Sequence, residues 1–386
     1  MTGAPGAIDM KGRSMAIPIL GWHGLGESYT TVERYREMAA AGFTHNLFSW
    51  PDTAAALAAL DAAHRAGMKL FVQTPAVHQR PQDVVPHVRN HPALAGYNIT
   101  DEPSADAFEK WGRIVREVRR LDPRHPCYIN LFPTYAAPGS QLGTATYQEY
   151  LDLFIRTTGV DLLSFDHYPV MENGLRKDFY QNLELVSATA RREGLPFWAF
   201  ALCTAITHAY PIPTLGHLRL QQYSNLAYGA QGLQYFTYVT PIPGAEAFHD
   251  GPIETDGRRT GVYDLVARFN VELHARAWVF DGATVESVGH TGQDLPVGTR
   301  RYVPADPIRR VELSGQGALV SRLRHGSRRS LVIVNRDYAS PAQLVVEWDG
   351  QRTLHQVDTA GRIGELAGSS LEQTLEPGHA CILSWT

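Results

Sequence analysis

The sequence predicts an α/β protein in which a (β/α)8 barrel is followed by a small C-terminal all-β sandwich. Over roughly the first 275 residues, eight short apolar runs alternate with amphipathic helical patterns. After about residue 280 the chain contains only short alternating runs bounded by Gly and Asp. With 386 residues, 44% of them hydrophobic, it can bury a sizeable core, which excludes a disordered chain. We expect a catalytic barrel over 1–279 and an accessory sandwich over 280–386.

The apolar runs of the first part predict eight buried strands. They are 16–22, 43–50, 68–75, 93–103, 126–133, 160–169, 195–203 and 231–239. Helical patterns separate them, the first closed by Gly42 and the second ending at Gly67. The third unit differs, because 77–92 holds three His and three Pro, which predicts a short or irregular helix. A doubly wound open sheet is the alternative, but no Gly-rich phosphate turn follows the first strand.

The segments after residue 280 predict the strands of the sandwich. They are 285–292, 309–315, 318–326, 328–337, 343–350 and 381–386. These runs contain few residues of catalytic type, so we expect a packing or substrate-shaping appendage.

Composition excludes several classes of partner and cofactor. A formal charge of −4 provides no basic field for nucleic acid or for an anionic membrane. No apolar run approaches the ~18 residues of a transmembrane helix. The first fifteen residues lack the apolar segment of a secretory signal, which predicts a cytoplasmic protein. Cys127, Cys203 and Cys381 are too far apart for a CxxC zinc site, and we expect no cofactor.

In a (β/α)8 barrel the catalytic residues lie at the carboxyl ends of the strands. Polar and aromatic residues at or near these ends are the candidate site residues. They are Trp22, His23, Trp50, Gln73, Asp101, Glu102, Asn130, Asp166, His167, Tyr168, Trp198, Tyr235 and Tyr238, with His249 and Asp250 in the loop after the eighth strand. Trp22, Trp50 and Trp198 are the candidate platforms for a sugar ring, although such residues also serve as ordinary core.

Carboxylates and aromatics at several strand ends, without a phosphate cradle, indicate glycoside chemistry. That chemistry needs a carboxylic acid to protonate the leaving oxygen and a group to stabilise the oxocarbenium-like transition state. Glu102, between the fourth strand and Pro103, is the candidate acid. Alternatively, Asp101 and Glu102 cap the following helix, beside Ser104 and Asp106.

The strand-four acid within a barrel layout resembles the large clan of retaining glycoside hydrolases. Those enzymes have the sequence Asn-Glu at the end of strand four and a nucleophilic Glu on strand seven. This chain has Asp101 in place of the Asn, and its seventh strand contains no carboxylate. The triplet Asp101-Glu102-Pro103 resembles instead the catalytic domain of the family-123 β-N-acetylgalactosaminidases. Family-20 hexosaminidases also carry an Asp-Glu pair.

The resemblance implies a retaining exo-β-N-acetylhexosaminidase that acts on terminal β-linked N-acetylhexosamine, with GalNAc favoured. In that mechanism the acetamido oxygen of the substrate attacks its own anomeric carbon and forms an oxazolinium ion. Asp101 would hold the acetamido N–H and Glu102 would act as acid and then as base. Tyr168 or Tyr238 would hold the acetamido oxygen.

Three other interpretations stay open. The first is a β-galactosidase-like enzyme without acetamido participation, which uses Glu102 with Asp166. The second is a barrel that binds glycans without catalysis, which the empty seventh strand motivates. The third is a metal site at His78, His87 and His91. We do not favour it, because Pro86 and Pro92 bracket the pair His87 and His91 and no further ligand is evident.

Overall fold

The structure is a computed structural model, and it describes residues 17–242, 244 and 246–386. The first sixteen residues, on which the expectation about a secretory signal rests, lie outside this range. The described chain forms two compact units. The barrel unit comprises Pro18–Pro213 and Gly232–Ala267, and the C-terminal unit comprises Thr214–Gln231 and Arg268–Thr386 together with Ile17.

Eight parallel strands close the barrel, as the sequence predicts. In chain order they are β1 (Ile19–Trp22), β2 (His45–Leu47), β3 (Lys69–Val72), β4 (Leu94–Asp101), β5 (Cys127–Leu131), β6 (Leu163–Phe165), β9 (Phe197–Leu202) and β11 (Gly232–Phe236). Each strand pairs with its neighbours in sequence order, and β11 pairs with β1 to complete the ring. Two short antiparallel pairs complete this unit: the hairpin of β7 (Val170–Met171) with β8 (Gly174–Leu175), and the long-range pair of β10 (Ala205–Ile206) with β12 (Phe248–His249).

Helices connect the strands and begin where the sequence provides caps. They are α1 (Val32–Ala40), α2 (Thr53–Arg65), α3 (Pro75–Gln79), α4 (Val85–Val88), α5 (Phe108–Leu121), α6 (Tyr147–Thr158), α7 (Phe179–Glu193), α8 (Leu215–Ala227) and α9 (Gly261–Phe280). Thr146 and Glu149 form a reciprocal capping box at the start of α6. The Pro-rich third connection is broken into the two short helices α3 and α4, because proline cannot continue a helix.

Antiparallel strands build the C-terminal unit, which confirms the predicted β domain. A six-stranded sheet contains β13 (Thr284–His290), β15 (Ala318–His325), β16 (Arg328–Asn335), β18 (His355–Val357), β19 (Ile363–Glu365) and β21 (Ala380–Trp385). A three-stranded sheet contains β14 (Ile308–Leu313), β17 (Ala342–Trp348) and β20 (Ser370–Leu375). Buried side chains of both sheets form one core, including Trp348, Ile333 and Trp385.

The C-terminal unit also contains α8 and the second part of α9, in addition to the segment predicted for the sandwich. The boundary at residues 279 and 280 stays a prediction. Among the described residues, no helix has the length and apolar character that a bilayer crossing requires.

A buried ionic network joins the elements of the C-terminal unit. The Glu272 carboxylate accepts hydrogen bonds from Arg219 Nη2 at 2.7 Å and Arg276 Nη1 at 3.3 Å, and contacts His379 Nε2 at 3.0 Å. The Tyr223 hydroxyl also donates to it. Burial alone would raise the pKa of Glu272, but the bonds with His379 and Tyr223 and the charge of Arg219 lower it to about 2.

We expect Glu272→Gln to destabilise the chain by about 2 kcal/mol at pH 7, because the arginines would lose their buried counter-charge. The check is the free energy of unfolding in urea. Glu312→Gln is the matched control, since Glu312 pairs with Arg310 at the surface of the same unit. The pKa of Glu272 is lowered by folding, so its contribution is present above pH ~4.5 and disappears as the pH falls towards 2. Equal stability of Glu272→Gln and wild type at pH 7 would contradict this account.

Candidate active site

A cavity of about 380 Å³ opens at the carboxyl end of the barrel strands. The volume is at the small end of the range of ligand pockets. Its wall contains four carboxyl groups, those of Asp101, Glu102, Asp166 and Glu246. The remaining lining residues are mostly aromatic or amide side chains: Trp22, Asn130, Phe132, Tyr135, Gln141, Tyr168, Phe200, Tyr210, Phe236 and Phe248, with Pro133, Ala136 and Ile206.

The backbone turns sharply at the end of β4 to place Glu102 in this wall. Glu102 has φ of 43°, in the left-handed region that side chains other than glycine rarely adopt. Its N–H donates to the carbonyl of Asn130 at 2.9 Å, and Pro103 follows it. Such a conformation costs on the order of 1–3 kcal/mol and persists where the surroundings enforce it, often at a functional site. No side-chain cap from Asp101 or Glu102 is found at the next helix, so the capping interpretation fails.

Asn130, on the neighbouring strand β5, organises the carboxylates. Its Nδ2 donates to Asp101 Oδ1 at 3.1 Å and to Asp166 Oδ1 at 2.9 Å. Its Oδ1 accepts from Ser164 Oγ at 2.9 Å, and Ser164 in turn accepts from Gln234 Nε2 at 2.9 Å. This buried chain fixes which end of the amide faces the acids, so both Asp101 and Asp166 receive a donor.

The carboxyl groups of Glu102 and Asp166 interact closely enough to shift the pKa of each other. Burial, followed by the charges of Asp166 and Asp101, raises the pKa of Glu102 to about 9. Burial and the charge of Asp101 raise the pKa of Asp166 to about 7. Two carboxylates in contact cannot both ionise readily, so the pair retains one proton near neutral pH, held on Glu102. Asp101 is exposed to solvent, yet the surrounding protein excludes enough water to raise its pKa to about 6, although the Asn130 bond acts in the opposite direction.

Aromatic rings form much of the remaining cavity wall. Trp22 packs edge-on against Phe200, with ring centroids 5.5 Å apart, and Tyr168 lies 5.6 Å from Phe236. The guanidinium of Arg176 lies 3.9 Å from the centroid of the Tyr135 ring. Such rings can stack on the apolar face of a sugar while the carboxylates bind its hydroxyls. No Lys, Arg or His lines the cavity within the ranges that the structure describes, so it offers no cation for an acidic sugar.

Six of the predicted site residues line this cavity. They are Trp22, Asp101, Glu102, Asn130, Asp166 and Tyr168. His23 faces a second cavity, of about 550 Å³, beside Tyr29 and Phe48. His249 Nδ1 bonds to Asp250 Oδ2 at 2.8 Å outside the lining set, although the preceding Phe248 belongs to it.

The other predicted residues are buried, except Gln73, which is half-buried. His167 is buried, bonds through Nδ1 to Asn182 Oδ1 at 3.0 Å and supports the ring of Tyr135. Gln73 accepts a hydrogen bond from Asn98 at 2.6 Å. The remaining aromatic candidates pack in the core: Trp50, Trp198, Tyr235 and Tyr238. Trp198, near the start of β9, contacts Phe71 on the side of the barrel away from the carboxyl ends.

Sequence reasoning missed Glu246 and several aromatic residues of the wall. Tyr135 lies four residues beyond the end of β5. A search that included the first four residues after each strand would have found it. Phe200 and Phe236 lie within the last part of their strands and point inward. No local sequence signal identifies Glu246, because its place depends on the pairing of β12 with the distant β10.

A metal site at the three histidines has no support in the geometry. His78 Nε2 lies 3.4 Å from the carbonyl of Asn98, and His91 Nε2 bonds to Asp61 at 3.0 Å. Within residues 17–242, 244 and 246–386, no group of three or more His, Cys, Asp or Glu side chains is arranged to hold a metal ion.

Residues 114–276 match the family described as "Glyco_hydro_42: Beta-galactosidase". This range includes Asn130, Asp166, Tyr168 and Glu246 but begins after Asp101 and Glu102. No curated protein sequence matches the chain.

Solved structures of glycoside hydrolases share the fold at low identity. The β-galactosidase from Bacillus circulans sp. alkalophilus is 11% identical, with a TM-score of 0.66 over 96% of this chain and 99% of that one. A catalytic mutant of a GH42 β-galactosidase from G. stearothermophilus is 10% identical, with a TM-score of 0.59 over 97% and 98%. An α-amylase from Geobacillus thermoleovorans is 10% identical, with a TM-score of 0.58 over 96% and 98%. The chain therefore has the (β/α)8-barrel fold that these enzymes share, and this fold alone does not select a reaction or a substrate.

Proposed function

We propose that the chain is a glycosidase that removes terminal β-linked galactose, with Glu102 as the general acid. The observation that carries this proposal is the cluster of Glu102, Asp166 and Asp101 in the wall of an aromatic cavity. A general acid must be protonated at the working pH, and the raised pKa of Glu102 meets that requirement. The family match over 114–276 favours galactose as the sugar.

In this mechanism Glu102 donates its proton to the glycosidic oxygen as the bond to the anomeric carbon lengthens. Asp166 remains an ionised carboxylate when Glu102 has given up its proton. Its negative charge, with that of Asp101, stabilises the oxocarbenium-like transition state. Water enters after the leaving group departs, and Glu102, now a carboxylate, removes its proton.

The hexosaminidase interpretation is the second candidate, because Asp101 lies next to Glu102 and β9 contains no carboxylate. Tyr168 lines the cavity and Tyr238 does not, so Tyr168 is the tyrosine that this mechanism would use. The family match favours the galactosidase-like interpretation over this one.

A panel of p-nitrophenyl glycosides tests the proposal. We expect release of nitrophenol from the β-galactoside, little from the β-GalNAc and β-GlcNAc compounds, and none from the β-glucuronide. The glucuronide is rejected because its carboxylate would enter a cavity lined by four carboxyl groups and no cation from the described residues. Cleavage of the N-acetyl substrates alone, with inhibition by a thiazoline, would replace the proposal by the substrate-assisted mechanism. Failure to cleave any glycoside would overturn both.

A further inference from the structure

The acid cluster leaves the proposed reaction without a carboxylate on the far side of the bond to be cleaved. Glycosidases without substrate participation place two carboxyl groups ~5–5.5 Å apart for retention or ~6.5–9.5 Å apart for inversion. Asp166 and Glu102 lie on the same side of the cavity, since both are held by Asn130: its Nδ2 donates to Asp166 Oδ1 at 2.9 Å, and its carbonyl accepts from the N–H of Glu102 at 2.9 Å. Asp101 belongs to the same cluster, since it shares the amide donor of Asn130 with Asp166.

Glu246 is the remaining carboxylate that the described residues place in the cavity wall, and it lies beside the segment that follows the seventh barrel strand. Strand β12 in the loop after β11 pairs with β10, which directly follows the seventh strand β9. The N–H and hydroxyl of Thr207 both donate to the carbonyl of Ala247, at 3.1 and 3.3 Å. These contacts hold Ala247, the residue next to Glu246, against the segment that follows β9 and β10.

This position lies across the barrel mouth from Glu102. In the ring of eight strands β9 is three places from β4, with β5 and β6 between them. Their carboxyl ends therefore face each other over the cavity. Glu246 is exposed and forms no side-chain hydrogen bond or ion pair with another residue of the described chain, so its carboxylate is available to a substrate.

We propose that Glu246 is the catalytic nucleophile and that it occupies from a different strand the place left empty on β9. The inference rests on the proposed glycosidase function. A Glu246 oxygen forms a bond to the anomeric carbon while the glycosidic bond breaks and Glu102 gives its proton to the leaving oxygen. Water then attacks the anomeric carbon, Glu102 regains a proton from it, and the Glu246 carboxylate is released. One glycoside and one water give one free sugar and one alcohol.

The test uses Glu246→Ala and Glu246→Gln in the full chain. We expect kcat for an aryl β-galactoside to fall about 10³-fold or more in both variants. Sodium azide should restore turnover in Glu246→Ala by occupying the space left by the carboxylate, and the product should be the α-galactosyl azide. Glu172→Gln is the matched control, because Glu172 is an exposed glutamate at the β7–β8 hairpin outside the cavity lining, and it should retain wild-type activity.

A second measurement identifies the attacking atom directly. Wild type treated with 2-deoxy-2-fluoro-β-galactosyl fluoride should carry the fluorosugar as an ester on the peptide that contains Glu246. Labelling of Asp101 or Asp166, or near-wild-type turnover by Glu246→Gln in an enzyme that cleaves β-galactosides, would overturn this inference and leave the proposed function standing. Absence of glycosidase activity in the wild type would overturn the proposed function, and this inference with it.

Discussion

Replacing Glu102 by glutamine is expected to lower kcat/KM about 10³-fold for galactosides whose leaving group is an alkyl alcohol or a sugar. Such leaving groups depart as alcohols only if they are protonated, and the amide of glutamine cannot supply that proton. For 2,4-dinitrophenyl β-galactoside the expected loss in the bond-cleavage step is about tenfold or less, because that phenolate leaves without a proton. The measurement is kcat/KM for the two kinds of substrate, which reports the first bond-cleaving step.

The contrast between substrates matters more than the size of either loss. A misfolded or displaced site would lower both values of kcat/KM together. Glu109→Gln, on the solvent-facing side of α5, is a suitable control for the same chemical change outside the cavity. If Glu102→Gln lost equal activity on both substrates while its thermal unfolding stayed unchanged, Glu102 would not be the general acid.

The sequence was sufficient for the barrel and for the acid cluster because both depend on regular features. Alternating apolar and helical segments predict eight strands, and the strand-end rule brings Asp101, Asn130 and Asp166 to one side of the sheet. The pairing that aligns them involves neighbouring strands, since Asp101 pairs with Asn130 and Asn130 pairs with Ser164. Adjacent strand ends in a closed sheet must lie close together.

The rest of the site depends on features that periodicity does not contain. Trp198 lies only one residue into β9, so its ring belongs to the interior near the opposite end of the barrel. Tyr238 lies just beyond the carboxyl end of β11, where a site residue is expected. Its ring nevertheless packs in the core against Phe43, with ring centroids 5.1 Å apart. The position of Glu246 depends on the long-range β10–β12 pair. Each of these outcomes is fixed by tertiary contacts rather than by the local sequence.

Asp166→Asn is the second variant with a large expected effect, and it separates the role of Asp166 from that of the acid itself. Asp166 raises the pKa of Glu102 through its charge. Without that charge the pKa of Glu102 falls, so Glu102 loses its proton at a lower pH. We expect kcat to fall about 10²-fold, as for removal of one preorganised electrostatic group. The basic limb of the kcat/KM profile, near pH 9 in the wild type, should move to lower pH.

The same variant should be more stable than the wild type at high pH, because a buried ionised carboxylate opposes folding. The pKa of Asp166 is raised by folding to about 7, so the folded chain holds its proton more tightly than the unfolded chain does. Stability from this group is therefore complete below pH ~4 and is lost as the pH rises through 7. Urea unfolding should show Asp166→Asn gaining about 1–3 kcal/mol over wild type at pH 8, and less at pH 4.5. A gain in stability together with a loss of activity would mean that the site retains Asp166 for its charge. A loss of stability at pH 8, with the basic limb unmoved, would instead assign Asp166 to the packing of the barrel.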